Sequence, residues 1–515
     1  MIIAHDGAKV AAAAVASRYM RAVGWSGELH EGLFAMNDAQ ANRLRGTLFI
    51  DGGWAKGTET FSVLDKFSGD LVGTAERASK EQVDSAVAAA RRSFEAVKLE
   101  PYDRYRILMK ASELIEERRD LLVDTIVSEA GFPVTDATNE VSRAVQTFII
   151  SAEESKRQSG EMVPIESAPG HAHRMAFTIR VPRGVVCGIT SFNSPLNMVA
   201  HKMAPALASG NTVVVKPPQS TPLSAALLVQ ILLDAGLPPG HVNLVQGPGS
   251  EIGSWLVANK DIAFYTFTGS TGVGKQLQHS VGLRPVALEL GSISATIVCD
   301  DADLARAATR CANSAFRRAG QACTSVQRLF VDGKVADEFL ALFVAATRRL
   351  KVGNPHDPDT IIGPMISEAE ARRAQDWVQG AVQQGARIVE GGRREGALLY
   401  PTILTDVRAE MRVMCDEIFA PVVSVVPFGA LDDAITQVNS TSFGLAAGLF
   451  TRDVMRAMVT ARRLHVGVVH INEPSSSRVD LMPFAGVKDS GVGREGPKYA
   501  MREMTEERLV TISLS

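Results

Sequence analysis

Apolar and polar positions along this chain follow two different periods. In SKEQVDSAVAAARRSFEAV, the residues Val83, Ala86, Val87, Ala90, Phe94 and Val97 recur with the helical period. Ser79 and Gln82 ahead of them have the spacing of a capping box, so an amphipathic helix is predicted to begin near residue 80. Between residues 184 and 300, short runs rich in Val, Ile and Thr (GVVCGIT, NTVVVKP, HVNLVQG, AFYTFTG, ATIVCD) alternate with helical stretches such as LSAALLVQILLDAG. That alternation is the signature of a parallel sheet with crossover helices. It resumes after Cys323 (QRLFVDG, ARIVEGG, VVSVVPF, LAAGLF, VGVVHIN), which implies a second α/β unit rather than one very wide sheet.

Two segments alternate strictly. Phe177, Ile179 and Val181 share a face in AFTIRV, and Val510, Ile512 and Leu514 share one in LVTISLS. They read as half-buried antiparallel strands that pair in a small separate sheet and offer an edge to another subunit. The expected fold class is α/β: two parallel-sheet domains plus a small antiparallel oligomerisation sheet. The expected boundaries are an extension over 1–45, a first domain over 46–164 and 184–291, a second over 292–489, and oligomerisation strands over 165–183 and 490–515.

The 515 residues are 46% hydrophobic and 22% charged, which suits an ordinary globular protein of several units and excludes disordered or fibrous classes. A net charge of −3 supplies no basic stripe for nucleic acid, so a small-molecule partner is expected. No apolar run approaches the ~18 residues of a membrane span. The opening MIIAHDGAKVAAAAVASRYMRAVGW lacks a signal peptide's basic start and apolar stretch, and Asp6, Glu28 and Glu31 argue against a transit peptide. Cys187, Cys299, Cys311, Cys323 and Cys415 form no metal-ligand or disulfide pattern. A cytoplasmic protein without a metal is the expectation.

Five segments carry candidate chemistry. Cys323 lies in AGQACTSVQRLFVDG among small residues before a strand, although a lone Cys is more often an inert buried hydrophobe. Asn193, in GITSFNSPLN, follows an apolar run where a strand's carboxyl end exposes it; its amide suits an oxyanion, or else a turn before Pro195. Glu289 interrupts the apolar run VALELGSISATIV, where a carboxylate is costly unless it is functional or ion-paired. FTGSTGVGK places Gly269, Gly272 and Gly274 between a strand and a helix, in GxxGxG rather than GxGxxG order. Lys216 ends the strand of NTVVVKPPQ, a place for a charge aimed at phosphate or ribose, or for a merely solvated one.

Together these segments resemble the aldehyde dehydrogenase superfamily, from about residue 46 to 515. The GQAC segment matches the family's nucleophile motif, and the resemblance implies that Cys323 attacks the aldehyde, that Asn193 and the Cys323 N–H form the oxyanion hole, and that Glu289 of LELG activates the hydrolytic water. It makes the first domain the dinucleotide-binding one and the second the catalytic one. Ile189, Thr190, Lys216, Gln219, Gly269, Ser270, Glu417 and Phe419 are implied as contacts of NAD or NADP, and Phe192 as a substrate contact beside Arg478. Gln219 stands where the family often has a ribose-binding glutamate; a neutral amide need not repel a 2′-phosphate, which leaves NAD and NADP both open. Ala420, Ser292 and Ile293 also depart from the commoner residues, and they put the details of the water and nicotinamide arrangement in question.

FNSPLNMVAHK, LELGS and the segment from Ser477 onward are most similar to the branch of lactaldehyde, non-phosphorylating glyceraldehyde-3-phosphate and phosphonoacetaldehyde dehydrogenases. Several members of that branch take small anionic aldehydes, so Arg478 is implied as an anion anchor, with an ordinary ion pair as its alternative. Ala322 argues the other way, since phosphate-selective relatives often carry arginine there. Glu495 matches a glutamate credited with either proton relay or a structural role. The expected activity is NAD(P)-dependent oxidation of an aldehyde to an acid through a thioester, in a homodimer or homotetramer. Transfer to CoA instead of water, and a non-catalytic binding protein on the same fold, are the alternatives; Glu289 speaks against the first and the complete residue set against the second.

Overall fold

The computed structural model describes residues 44–514; the extension expected over 1–45 lies almost wholly outside the described residues. The capping box forms as its spacing demands. Ser79 Oγ accepts from the Gln82 N–H at 3.2 Å, Gln82 Oε1 accepts from the Ser79 N–H at 2.9 Å, and the helix Lys80–Ala96 buries Val83, Ala86, Val87 and Ala90.

The first sheet has eight strands. Val185–Ile189 lies between Thr212–Lys216 and Ile262–Thr268, all parallel, with Val242–Leu244 and Val286–Glu289 outside them. Antiparallel pieces close both edges: Leu48–Ile50 with Gly53–Ala55 on one side, Gly491–Val492 on the other. From Val185–Ile189 the chain moves outward to Thr212–Lys216 and Val242–Leu244, then returns to the opposite flank as Ile262–Thr268. At such a reversal the crossover helices lie on opposite faces, which opens a crevice at the strands' carboxyl ends.

A second sheet of seven strands runs Arg387–Glu390, Thr402–Thr405, Val422–Phe428, Arg328–Asp332, Ala295–Val298, Ala446–Phe450, Val468–Ile471, parallel except for the first pair. Ala295–Val298 is central here, although its sequence runs on from the first alternation. Each sheet has its own apolar core. In the first, the helix Asn197–Ala208 is buried at all twelve positions.

Arg174–Pro182 and Thr505–Ser513 pair antiparallel over nine residues, with Phe177 opposite Val510, and Met162–Val163 adds a third strand. The pairing matches the sequence pattern, but the face does not. Ala176 and Thr178 are the buried positions, while Ile179, Ile512 and Leu514 are exposed. Alternation fixes which residues share a face, not which face this chain covers by itself. Residues after 490 also do more than build this sheet: Gly491–Val492 completes the first sheet, and the helix Pro497–Glu503 packs on Asn197–Ala208. Among the described residues, no helix is long and apolar enough to cross a membrane.

Candidate active site

Cys323 follows a tight turn that joins the helix Leu304–Phe316 to the strand Arg328–Asp332. Three successive residues of the turn are left-handed: Arg318 (φ 52°), Ala319 (φ 52°) and Gly320 (φ 69°). A Cβ on Gly320 would overlap the Ala420 carbonyl, so glycine is required there on two counts. The turn aims Cys323 at a cavity of about 350 Å³, which Asn193, Met198, Ala322, Thr324 and Arg478 also line. The Cys323 backbone N–H has no hydrogen-bond partner among the described residues. Burial pushes the thiol up to about 12; Arg478 pulls it down, whereas Glu289, Glu417 and Glu495 push it up. The residue is nevertheless partly exposed on the cavity, so water there moderates the effect of burial.

Asn193 lies midway along the loop between Val185–Ile189 and the helix Asn197–Ala208, and is buried. Ser191 Oγ donates to its Oδ1 at 2.7 Å, which orients the amide and leaves its N–H groups without a partner among the described residues. The same cavity thus holds two unpaired donors and one thiol, the set that an oxyanion and its nucleophile require.

Glu289 is the last residue of Val286–Glu289, 4% exposed and outside the cavity's lining, and its Oε2 has no hydrogen-bond partner among the described residues. Burial first, and then the Glu495 charge, raise its carboxyl well above the usual range, against the pull of Arg478 and Lys202. Glu495 is itself fully enclosed: Lys202 Nζ, Arg478 Nη2 (3.1 Å) and Thr268 Oγ1 (3.2 Å) all donate to it. Despite burial, those cations hold its carboxyl far below the usual range. Arg478 also stacks 4.0 Å from the centre of the Phe484 ring, so the ion pair weighed as the alternative to an anion anchor is present, and the cation is engaged on one side.

The remaining candidates gather at the carboxyl edge of the first sheet. Ile189 is in register with Lys216, and the Thr190 N–H donates to the Lys216 carbonyl at 3.2 Å. Lys216 Nζ donates to the Pro217 carbonyl at 2.9 Å, and burial lowers the amine to about 8. Across the crevice, exposed Ser270 precedes the helix Thr271–Ser280 and makes no side-chain cap, which leaves that terminus open. Gly269 spends its N–H on the Glu289 carbonyl at 3.1 Å, and a Cβ on Gly274 would strike Leu290, so Gly274 serves packing. Gln219 is exposed, three residues beyond Lys216. Glu417 Oε1 accepts from the Ser292 N–H at 2.8 Å, and desolvation lifts its carboxyl to about 7. Phe419, left-handed at φ 50°, meets Phe192 edge-on with ring centroids 5.8 Å apart. The buried, unpartnered Thr190 Oγ1, the Lys216 ammonium and the open helix terminus together fit an anionic dinucleotide.

Sequence reasoning passed over a second row of charges. Arg143 grips Asp480 with two bonds of 3.0 and 2.7 Å, and His201 Nε2 lies 2.9 Å from the same carboxylate. Lys202 had a legible signal, a lysine inside the otherwise apolar HKMAPALA. Arg143, on the long helix Val134–Ser155, had none: nothing local marks which arginine of a helix meets a partner 337 residues away.

The chain is similar to known proteins over most of its length. The aldehyde dehydrogenase family model matches residues 54–510. A 3-sulfolactaldehyde dehydrogenase of Priestia aryabhattai is 46% identical over 467 residues, 91% of this chain and 98% of its own. The glyceraldehyde-3-phosphate dehydrogenase GapN of Methanocaldococcus jannaschii, solved with NADP, superposes with a TM-score of 0.85 at 38% identity over 88% of this chain and 99% of its own. Aldehyde dehydrogenase 21 of Physcomitrella patens, solved with the product succinate, gives 0.89 at 35% identity over 92% and 99%.

Proposed function

Since the chain belongs to the aldehyde dehydrogenase family and is an NAD(P)-dependent enzyme that oxidises aldehydes to acids, we propose that Cys323 is its nucleophile, Asn193 its oxyanion donor and Glu289 its general base. The observation that carries this reading is the convergence of the unpaired Cys323 N–H, the free Asn193 amide and the thiol on one cavity.

Lys216, Thr190, Ile189, Gly269 and Ser270 would hold the dinucleotide at the sheet edge, with Glu417 and Phe419 toward its nicotinamide end. Bound there, it supplies the acceptor for the two-electron oxidation. The Cys323 thiolate bonds to the aldehyde carbon, and the carbonyl oxygen becomes an oxyanion facing the Asn193 amide and the Cys323 N–H. After oxidation the group is a thioester on Cys323. Glu289 takes a proton from water as that water attacks the thioester carbon, and the thiolate departs. A carboxyl raised by burial is a better base at neutral pH than an exposed one. A carboxyl without a hydrogen-bond partner at Oε2, close enough for its charge to act on the thiol, also favours water over CoA as the acyl acceptor.

Arg143, Arg317 and Arg478 line the cavity beside Asp480, each already ion-paired on one side, and their remaining donors support a small anionic or hydroxy aldehyde as substrate. The test is absorbance at 340 nm with sulfolactaldehyde, lactaldehyde, glyceraldehyde 3-phosphate and benzaldehyde, with NAD⁺ or NADP⁺, with and without CoA, beside Cys323→Ala. CoA-independent turnover that is lost in the variant is expected, with anionic or hydroxy aldehydes preferred; strict CoA dependence would overturn the hydrolytic reading. The exposed Ile179, Ile512 and Leu514 of the three-stranded sheet support assembly as a homodimer or homotetramer through that sheet. The free state of all five cysteines fits a reducing cytoplasm.

A further inference from the structure

The two donors of the oxyanion hole come from different units. Asn193 belongs to the loop after a strand of the first sheet, Cys323 to the turn that enters the second. Oxyanion donors are effective only when held to within a fraction of an ångström of the developing charge, so something must fix one segment against the other.

Arg318, five residues before the thiol, spans that gap. Its Nη1 donates to the Asn193 carbonyl at 2.8 Å. The side chain is 6% exposed, packed over the Phe132 ring at 4.8 Å, with Nη2 lying 3.3 Å from Glu140 Oε2. Glu140 in turn secures the far end of the same loop, since its Oε1 accepts from the N–H groups of Leu196 (2.9 Å) and Asn197 (3.2 Å). On the nucleophile side, the Arg318 carbonyl accepts from Gln321 Nε2 at 3.1 Å, and Gln321 Oε1 accepts from the Ile366 N–H at 2.9 Å. The arginine backbone is left-handed, and its N–H donates to Asp136 at 3.3 Å. A non-glycine residue keeps that conformation only where its surroundings over-determine it.

We propose that Arg318 is a positioning residue for catalysis, setting the Asn193 amide against the Cys323 N–H by gripping the Asn193 carbonyl across the boundary between the two sheets. The guanidinium carries no proton of the reaction. Its buried charge is balanced by Glu140, 3.3 Å from Nη2 without a hydrogen bond, while Nη1 alone makes the hydrogen bond that holds Asn193, a reach and geometry that a lysine ammonium does not reproduce. The inference rests on the oxyanion role given above to Asn193.

The test is a double-mutant cycle on the full-length enzyme with Arg318→Met and Asn193→Ala, reading kcat, cofactor affinity by fluorescence, and alkylation of Cys323 by iodoacetamide, which needs no oxyanion hole. Arg318→Met is expected to lower kcat ~10- to 100-fold in the parent but only ~2-fold in the Asn193→Ala background, because a misplaced donor and a missing one are the same loss. Alkylation and cofactor affinity stay near parental values. Equal factors in both backgrounds, an unchanged kcat, or alkylation falling in step with kcat would each overturn the proposal. If Asn193→Ala alone leaves kcat intact, the oxyanion reading fails first, and the two failures are distinguishable. Should Arg318→Met not fold, Arg318→Lys enters the same cycle, with a smaller loss that again vanishes in the Asn193→Ala background.

Discussion

Arg478 donates to Glu495 Oε2 at 3.1 Å while lining the cavity that holds Cys323. One guanidinium therefore stabilises a buried carboxylate and the thiolate together, and any substrate anion shares it with Glu495. This arrangement sets the first prediction. Replacing Arg478 with Met removes the strongest charge that lowers the Cys323 thiol, so alkylation by iodoacetamide at neutral pH slows, by about tenfold for each unit the thiol rises. If Arg478 also meets the substrate, KM for anionic aldehydes rises more than KM for neutral ones.

Asn193→Ala removes one oxyanion donor and leaves the thiol in place. A drop of ~10²–10³ in kcat is expected, with little change in cofactor affinity. Steady-state kinetics beside a cofactor titration check it; a loss confined to KM would contradict the role.

Glu289→Gln separates the two halves of the reaction. Rapid mixing of the enzyme with aldehyde and cofactor should still give one burst of reduced dinucleotide per site, while steady turnover falls ~10²–10⁴-fold because water lacks its base. The pH profile follows from the same carboxyl. Glu289 acts deprotonated, and its value is raised by burial, so parental kcat is lost as pH falls through a value above that of an ordinary carboxylate. That acid limb disappears in the variant.

Gln219→Glu places a carboxylate three residues beyond Lys216, on the exposed rim of the dinucleotide crevice. Repulsion of a 2′-phosphate should weaken NADP⁺ binding by ~1–2 kcal/mol while sparing NAD⁺. Paired affinity measurements decide it, and equal effects on both cofactors would remove Gln219 from the ribose site.

Ile512→Asp on the outward row of the three-stranded sheet should shift the protein toward a smaller species in light scattering without lowering cofactor affinity. An unchanged mass would move the subunit contact elsewhere.

Local patterns determined a great deal here. The Val-rich runs place every strand of both central sheets that the sequence picked out, and Ser79 with Gln82 marks the start of a helix, because backbone periodicity and capping depend on neighbours a few residues apart. Of the residues singled out by the resemblance of GQAC, LELG and FNSP to family motifs, Cys323 and Asn193 line the cavity, while Glu289 lies buried at the end of a strand outside its lining. What local pattern leaves open is everything set by residues distant in sequence. Alternation in AFTIRV gives two faces but not which one is covered, since that depends on packing and on a partner. Ala295–Val298 reads like its predecessors, and only the tertiary structure shows its place in the middle of the second sheet, paired with Arg328–Asp332 and Ala446–Phe450. The pairs Arg143 with Asp480 and Arg318 with the Asn193 carbonyl join residues 337 and 125 positions apart, brought together only by the tertiary fold. A buried charge takes whatever partner the tertiary fold brings within reach, and no short window of sequence contains both.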